Sequence, residues 1–189
     1  VITIGENIPS EKCILANAKG LANYALLCQQ GNLVPIVEPE VLMDGSHTIN
    51  TSFDVTDRVL NTVFDQLAQH NVDLKGIVLK PNMVLSGYDC NHQASIQDVA
   101  SKTLECLTKN VPLDVPGIAF LSGGQSNDLA ILHLNEMNKH NTNWNVTFSY
   151  GRALQQDALK AWSGKNSELA QEALLLRAKS NSLATTASL

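Results

Sequence analysis

Short, almost wholly apolar runs alternate with longer segments of helical periodicity along the chain, and this alternation restricts the architecture more than any other feature. Val1–Ile4 reads as the end of a strand. A helix beginning near Ser10 follows, with Ile14, Ala18, Leu21, Ala25 and Cys28 at helical spacing and Gly31 as its stop. Leu33–Val37 is the next strand; after a loop at Asp44-Gly45-Ser46, a helix over about residues 53–70 buries Val55, Val59, Leu60, Val63 and Leu67. Gly76–Leu79 is the third run, and the helix after it opens on Ser95 with Asp98 three residues on, the spacing of a capping box. Gly117–Leu121 precedes a helix over about 126–139, and Asn145–Phe148 precedes helices over about 153–162 and 166–180. Residues 182–189 are small and polar and read as a flexible tail.

Runs that are apolar at nearly every residue belong to strands buried on both faces, as in parallel sheets. Such alternation fits a doubly wound sheet or a (β/α)8 barrel. The strand tips favour the barrel, whose chemistry gathers at the C-terminal ends of several strands. Glu38 and Glu40, Lys80 and Asn82, Ser122 and Gly123, and Ser149, Gly151 and Arg152 all stand there. Four strand-then-helix units make half of a barrel. The last two tips look like the phosphate loops that often follow strands seven and eight. The expected fold is therefore α/β, the second half of a TIM (β/α)8 barrel (about strands 5–8). Residues 1–189 form one partial domain, with sequence missing ahead of Val1.

Composition excludes several classes. With 44% hydrophobic and 16% charged residues the chain is an ordinary globular one. No apolar run nears the ~18 residues that span a bilayer, and no signal peptide is visible, so no membrane partner is expected. A net charge of −5 argues against nucleic acid. The four cysteines form no CxxC pair and read as reduced thiols of a cytosolic protein, with Cys13 and Cys28 as small core residues. The five histidines show no ligand spacing and read as surface or helix-face residues; neither a catalytic metal nor a cofactor is expected. There is no GxSxG elbow, P-loop or GxGxxG. Trp144 and Trp162 read as packing residues.

Each polar tip has two readings. Lys80 ends a buried strand, where an unpaired ammonium is costly. A desolvated lysine amine attacks ketones; a lysine just past a strand also simply reaches into solvent. Glu38 and Glu40, two residues apart, face one side of a strand and supply an acid and a base, or else form a solvated strand end. Ser122-Gly123-Gly124 leads into a helix whose N-terminus favours anions, or is only a turn. Ser149-Tyr150-Gly151-Arg152 repeats that arrangement and adds a guanidinium that grips phosphate through two parallel bonds; the alternative is an ordinary turn with a surface arginine. Two such loops on neighbouring strands favour a phosphate site.

At these residues the sequence resembles class I (Schiff-base) fructose-bisphosphate aldolase. The matching stretches are Val34–Val41, Val78–Val84, Phe120–Ser126, Thr147–Leu154, Ala158–Trp162 and Arg177–Leu183, in order and nearly end to end. The resemblance implies that Lys80 is the Schiff-base lysine and Glu38 the acid/base residue of carbinolamine chemistry, with Glu40 its neighbouring carboxylate. Ser122, Gly123, Ser149, Gly151 and Arg152 match the cradle for the ketose C1 phosphate. It further implies reversible, metal-free cleavage of fructose 1,6-bisphosphate in glycolysis and gluconeogenesis, a phosphorylated sugar substrate, a cytoplasmic homotetramer and no cofactor.

Three departures qualify the resemblance. The family's opening strands are absent, and with them a lysine, an aspartate and basic residues for the second phosphate. The family's C-terminal tail with its final tyrosine is also absent. Near the nucleophile, Lys75 stands where the family has glutamate, and Val78 replaces a more usual residue. Half a barrel leaves two sheet edges open, so these residues alone are expected to be poorly stable and inactive. A transaldolase-like lyase and a truncated, non-catalytic scaffold or binding protein are the alternatives.

Overall fold

The structure, a computed structural model, describes residues 1–189. Six helices and four short strands alternate: α1 (Glu11–Gln30), β1 (Ile36–Val37), α2 (Ile49–Gln69), β2 (Val78–Leu79), α3 (Ile96–Asn110), β3 (Gly117–Phe120), α4 (Asn127–Asn138), β4 (Asn145–Phe148), α5 (Arg152–Trp162) and α6 (Ser167–Ala184). One 3-10 turn, Leu74–Gly76, precedes β2.

The helix starts follow from side chains able to accept a first-turn N–H. Ser10, Thr48, Ser95 and Ser126 each do so, and Ser95 with Asp98 completes the expected capping box. α2 begins four residues ahead of the expected start because its first turn holds a single apolar residue, Ile49, too few to mark a stripe. Its whole expected stripe, Val55 to Leu67, is buried. α1 ends at Gly31 as expected, but Gly31 has φ −85° and the left-handed residue is Asn32, φ 56°. Leu33 donates its N–H to Cys28 O, 2.8 Å, and so belongs to this helix end rather than to a strand.

All four strands run parallel in the order β1-β2-β3-β4. The partners are Val37 with Leu79, Leu79 with Ile118, and Gly117–Phe120 with Asn145–Phe148 residue for residue. The opening run joins at the far edge, where Ile2 pairs in parallel with Val41. Sequential order with right-handed crossovers sends every helix to the same face of the sheet. α1 to α4 pack neighbour on neighbour as that layer. Beneath it Val37, Leu79, Ile118 and Phe120 are wholly buried, each contributing about 1.5–3 kcal/mol of burial.

The other face is covered unevenly. Near β1, Val34 and Ile36 remain 67% and 46% exposed, whereas in β3 the successive residues Ile118, Ala119 and Phe120 are all buried. The chain supplies one helical layer, and sequential order places none of it on the second face. The sheet is open, with β1 and β4 at its ends.

Several smaller expectations change. Cys13 is exposed and Cys28 half-buried; the alanines of α1 fill the core in their place. Trp144 is buried, with its indole N–H on Pro112 O at 3.2 Å, whereas Trp162 is 49% exposed. α6 continues past the expected tail start at Ser182 to Ala184, whose carbonyl accepts from Asn138. No helix is long and apolar enough to cross a membrane.

Candidate active site

Three backbone bonds extend the sheet beyond its regular strands and bring the four tips to one end. Lys80 N–H donates to Val37 O (2.7 Å), Leu121 N–H to Pro81 O (3.1 Å) and Ser149 N–H to Phe120 O (2.8 Å). Because Val37 is level with Leu79, Glu38 stands beside Lys80 on the uncovered face. The Lys80 Nζ lies 3.0 Å from Glu38 Oε1, with 19% of the lysine side chain exposed and 42% of the glutamate's. A partly exposed pair of this kind adds at most about 1 kcal/mol to stability. Chemically it places an amine and a carboxyl within proton-transfer reach.

Glu40 is half-buried, makes no ion pair and does not reach Lys80; its carbonyl accepts the N–H of Ile2. Glu38 and Glu40 both border a cavity of about 400 Å³ walled by Ile14 and Ala18 of α1 and Val59 and Val63 of α2. Asn82 ties these tips together. It is 5% exposed; its Oδ1 accepts from Val41 N–H (3.0 Å), and its Nδ2 donates to Thr56 Oγ1 (3.2 Å) and Met83 O (3.1 Å). The sequence marks Asn82 as a polar strand tip, but its role across to β1 is visible only in three dimensions.

The loops behind these tips interlock. Gly87 N–H donates to His47 O, Tyr88 N–H to Met43 O and Asp89 N–H to Gly45 O, at 2.8, 2.8 and 2.9 Å. A Cβ on Gly87 would collide with the Gly45 carbonyl.

The β3 and β4 tips are built from backbone. Ser122 is buried, and Gly123 and Gly124 follow with φ 58° and 88°, a conformation costly for other residues. Neither glycine donates its N–H within the chain. The Tyr88 hydroxyl donates to Gly124 O, and a Cβ on Gly124 would run into that hydroxyl. Burial pushes the Tyr88 phenol up, against the opposing pull of Arg152. The Arg152 Nη2 lies 3.7 Å from where that Cβ would stand, and Arg152 makes no ion pair. Ser149 is half-buried, and Gly151 leads into α5, whose first turn has no side-chain cap. Unclaimed backbone N–H groups lie close to the Arg152 guanidinium here, with Ser122 and Ser149 at the ends of the same two strands, and groups of this kind suit an anion. Tyr150 serves packing instead: it is buried and donates to Ala130 O at 2.9 Å.

Behind Ser122 lies Gln125, 8% exposed, whose Nε2 donates to Ser122 O at 3.0 Å. Gln125 in turn meets the buried His133 ring, whose pKa burial pushes down to about 4. No group of three or more His, Cys, Asp or Glu side chains is placed to hold a metal ion.

The family model for class-I fructose-bisphosphate aldolase matches residues 1–189. A "Probable fructose-bisphosphate aldolase class 1" from Xanthomonas axonopodis pv. citri is 52% identical over 97% of this chain and 56% of its own. "Fructose-bisphosphate aldolase B" of Gallus gallus is 52% identical over 97% and 52%. A Plasmodium falciparum fructose-bisphosphate aldolase, solved in complex with TRAP and a small-molecule inhibitor, superposes with a TM-score of 0.96 at 46% identity, covering 99% of this chain and 55% of that one. The chain thus spans about half the length of the curated relatives it matches. It belongs to the class-I fructose-bisphosphate aldolase family.

Proposed function

We propose that the full-length polypeptide carrying these residues reversibly cleaves fructose 1,6-bisphosphate to dihydroxyacetone phosphate and glyceraldehyde 3-phosphate through a Schiff base on Lys80. One observation carries the reading: the Lys80 amine sits 3.0 Å from Glu38 at the strand tips, on the same end of the sheet as the Ser122–Gly124 loop and Arg152. The neutral amine of Lys80 adds to the C2 ketone. Glu38 gives a proton to the departing hydroxyl, so the carbinolamine loses water and becomes an iminium. As the C4 hydroxyl loses its proton, the C3–C4 bonding pair moves into that cation and glyceraldehyde 3-phosphate leaves. The enamine takes a proton at C3, and water then releases dihydroxyacetone phosphate and returns the amine. Glu40 is the neighbouring carboxylate, and Ser122, Gly123, Ser149, Gly151 and Arg152 hold the C1 phosphate.

The uncovered sheet face and its two open edges support the finer reading of the fold, half of a (β/α)8 barrel whose other strands close the site. Residues 1–189 alone are then inactive. A cytoplasmic homotetramer is the matching setting, and one relative is named a cytosolic aldolase.

The test is trapping. Borohydride added to the full-length protein with dihydroxyacetone phosphate is expected to attach the reduced triose to Lys80, read by peptide mass spectrometry. An unlabelled Lys80 overturns the proposal.

A further inference from the structure

His133, on α4, is 4% exposed, and no step of the proposed chemistry uses it. Its Nδ1 lies 2.6 Å from Gln125 Oε1. The same amide turns its Nε2 to Ser122 O at 3.0 Å and to Met83 Sδ at 3.5 Å. Each end of the Gln125 amide fixes the other. Ser122 O is an acceptor, so the nitrogen faces it and the oxygen faces the histidine. His133 must then carry its proton on Nδ1. Reversing the amide would set two oxygens against each other at Ser122.

The lock has an alternative to suppress. A cavity of about 150 Å³, lined among others by Gln93, Leu129, Gln125 and His133, adjoins the amide. Released from His133, the Gln125 side chain has room to swing into it. Ser122 O would then keep only the Gln125 N–H, also at 3.0 Å. The peptide that presents the Ser122 hydroxyl and leads into the free Gly123 and Gly124 N–H groups would lose one of its two ties.

We infer that His133 is a positioning residue for the phosphate cradle: its Nδ1–H holds Gln125, and Gln125 holds the Ser122 peptide in the orientation that binds the C1 phosphate. This deepens the proposed function and rests on it. The role requires a donor at the Nδ1 position, not an imidazole as such, and that separates it from a general packing role.

The experiment compares His133→Leu, His133→Asn and Gln125→Glu in the full-length protein. The asparagine Nδ2 falls near the histidine Nδ1 and restores the donor; the glutamate still accepts from His133 but cannot donate to Ser122 O. His133→Leu is expected to raise KM for fructose 1,6-bisphosphate, and the inhibition constant of inorganic phosphate, about 5- to 10-fold with kcat within about 2-fold. His133→Asn is expected to return both constants to within about 2-fold of the parent. Gln125→Glu is expected to behave as His133→Leu does. Should His133→Leu fail to fold, the asparagine and glutamate variants still decide. Parental constants in Gln125→Glu, or an asparagine variant as impaired as the glutamate variant, overturn the inference. So does a His133→Leu protein that loses thermal stability alone. Borohydride labelling of Lys80 in the unaltered protein keeps the two readings apart. A labelled Lys80 with an unaffected His133→Leu sinks only this inference; an unlabelled Lys80 sinks the function beneath it.

Discussion

β1 and β2 pair over two residues each, whereas β3 and β4 pair over four in unbroken register, and the two pairs present their functional groups differently. On the β1–β2 side everything is side chain: the Lys80–Glu38 ion pair, with Asn82 bracing the turn after Glu40. On the β3–β4 side the groups are mostly backbone, set by two left-handed glycines and an uncapped helix, with Gln125 and His133 behind them. The difference suits the tasks proposed for the two sides. A nucleophile must change protonation and bonding during a turnover, and a partly exposed pair allows it. A cradle must stay fixed, and backbone held from behind by buried groups is fixed.

That contrast is breakable, and the largest effect is expected at Lys80. Lys80→Met in the full-length protein should remove borohydride labelling and lower kcat at least about a thousandfold, as loss of a covalent nucleophile does. Activity within tenfold of the parent would remove the side-chain half of the comparison.

Acid titration probes the cradle side. Burial holds the His133 pKa at about 4, below the ordinary value of 6.5. Above pH 6.5 the ring is neutral folded or unfolded and costs nothing. As pH falls from 6.5 toward 4 the unfolded chain takes up a proton that folded His133 refuses, so stability declines by about 3 kcal/mol in all. Urea midpoints of parent and His133→Asn proteins, measured at pH 7 and pH 4.5, should differ in this slope; equal slopes would mean that the ring is not desolvated.

Asn82→Leu should cost about 2–3 kcal/mol, because the buried Val41 N–H and Thr56 hydroxyl lose their partner. A urea midpoint unchanged from the parent would show that the brace is dispensable.

The smallest effect is expected from Gly124→Ala, about 1–2 kcal/mol for a side chain at φ 88°. It should also displace the Tyr88 hydroxyl and weaken phosphate binding more than it slows chemistry. An equal loss in both would erase the distinction between the two halves of the site.

Legibility in the sequence followed the same division. Groups that lie at strand tips were readable because tip position is a one-dimensional property: Lys80, Glu38, Ser122 and Arg152 all end or follow an apolar run. The α2 stripe and the Ser95–Asp98 cap were readable from spacing. Links across the chain were not. Asn82 acts on Val41, and His133 reaches Ser122 only through Gln125; nothing local in the sequence announces such partners. The spacing of Glu38 and Glu40 does not reveal that their surroundings differ. Regular pairing of β1 stops at Val37, so only Glu38 meets the lysine. The open face is implied by the half-barrel expectation; apolar runs taken alone tell only that a strand is meant to be covered, not whether this length of chain supplies the cover.

The sequential strand order also bears on how the molecule is made. Each strand docks on the one synthesised just before it, at sequence separations of roughly 30–40 residues. The sheet can therefore grow in the direction of translation, each new unit finding a template already in place on the nascent chain. The unit containing β1 is the exception, since its outer neighbour is the short Ile2–Val41 contact alone. Its strand pairs with β2 over two residues only, so it is the stretch that depends most on the next unit for its cover.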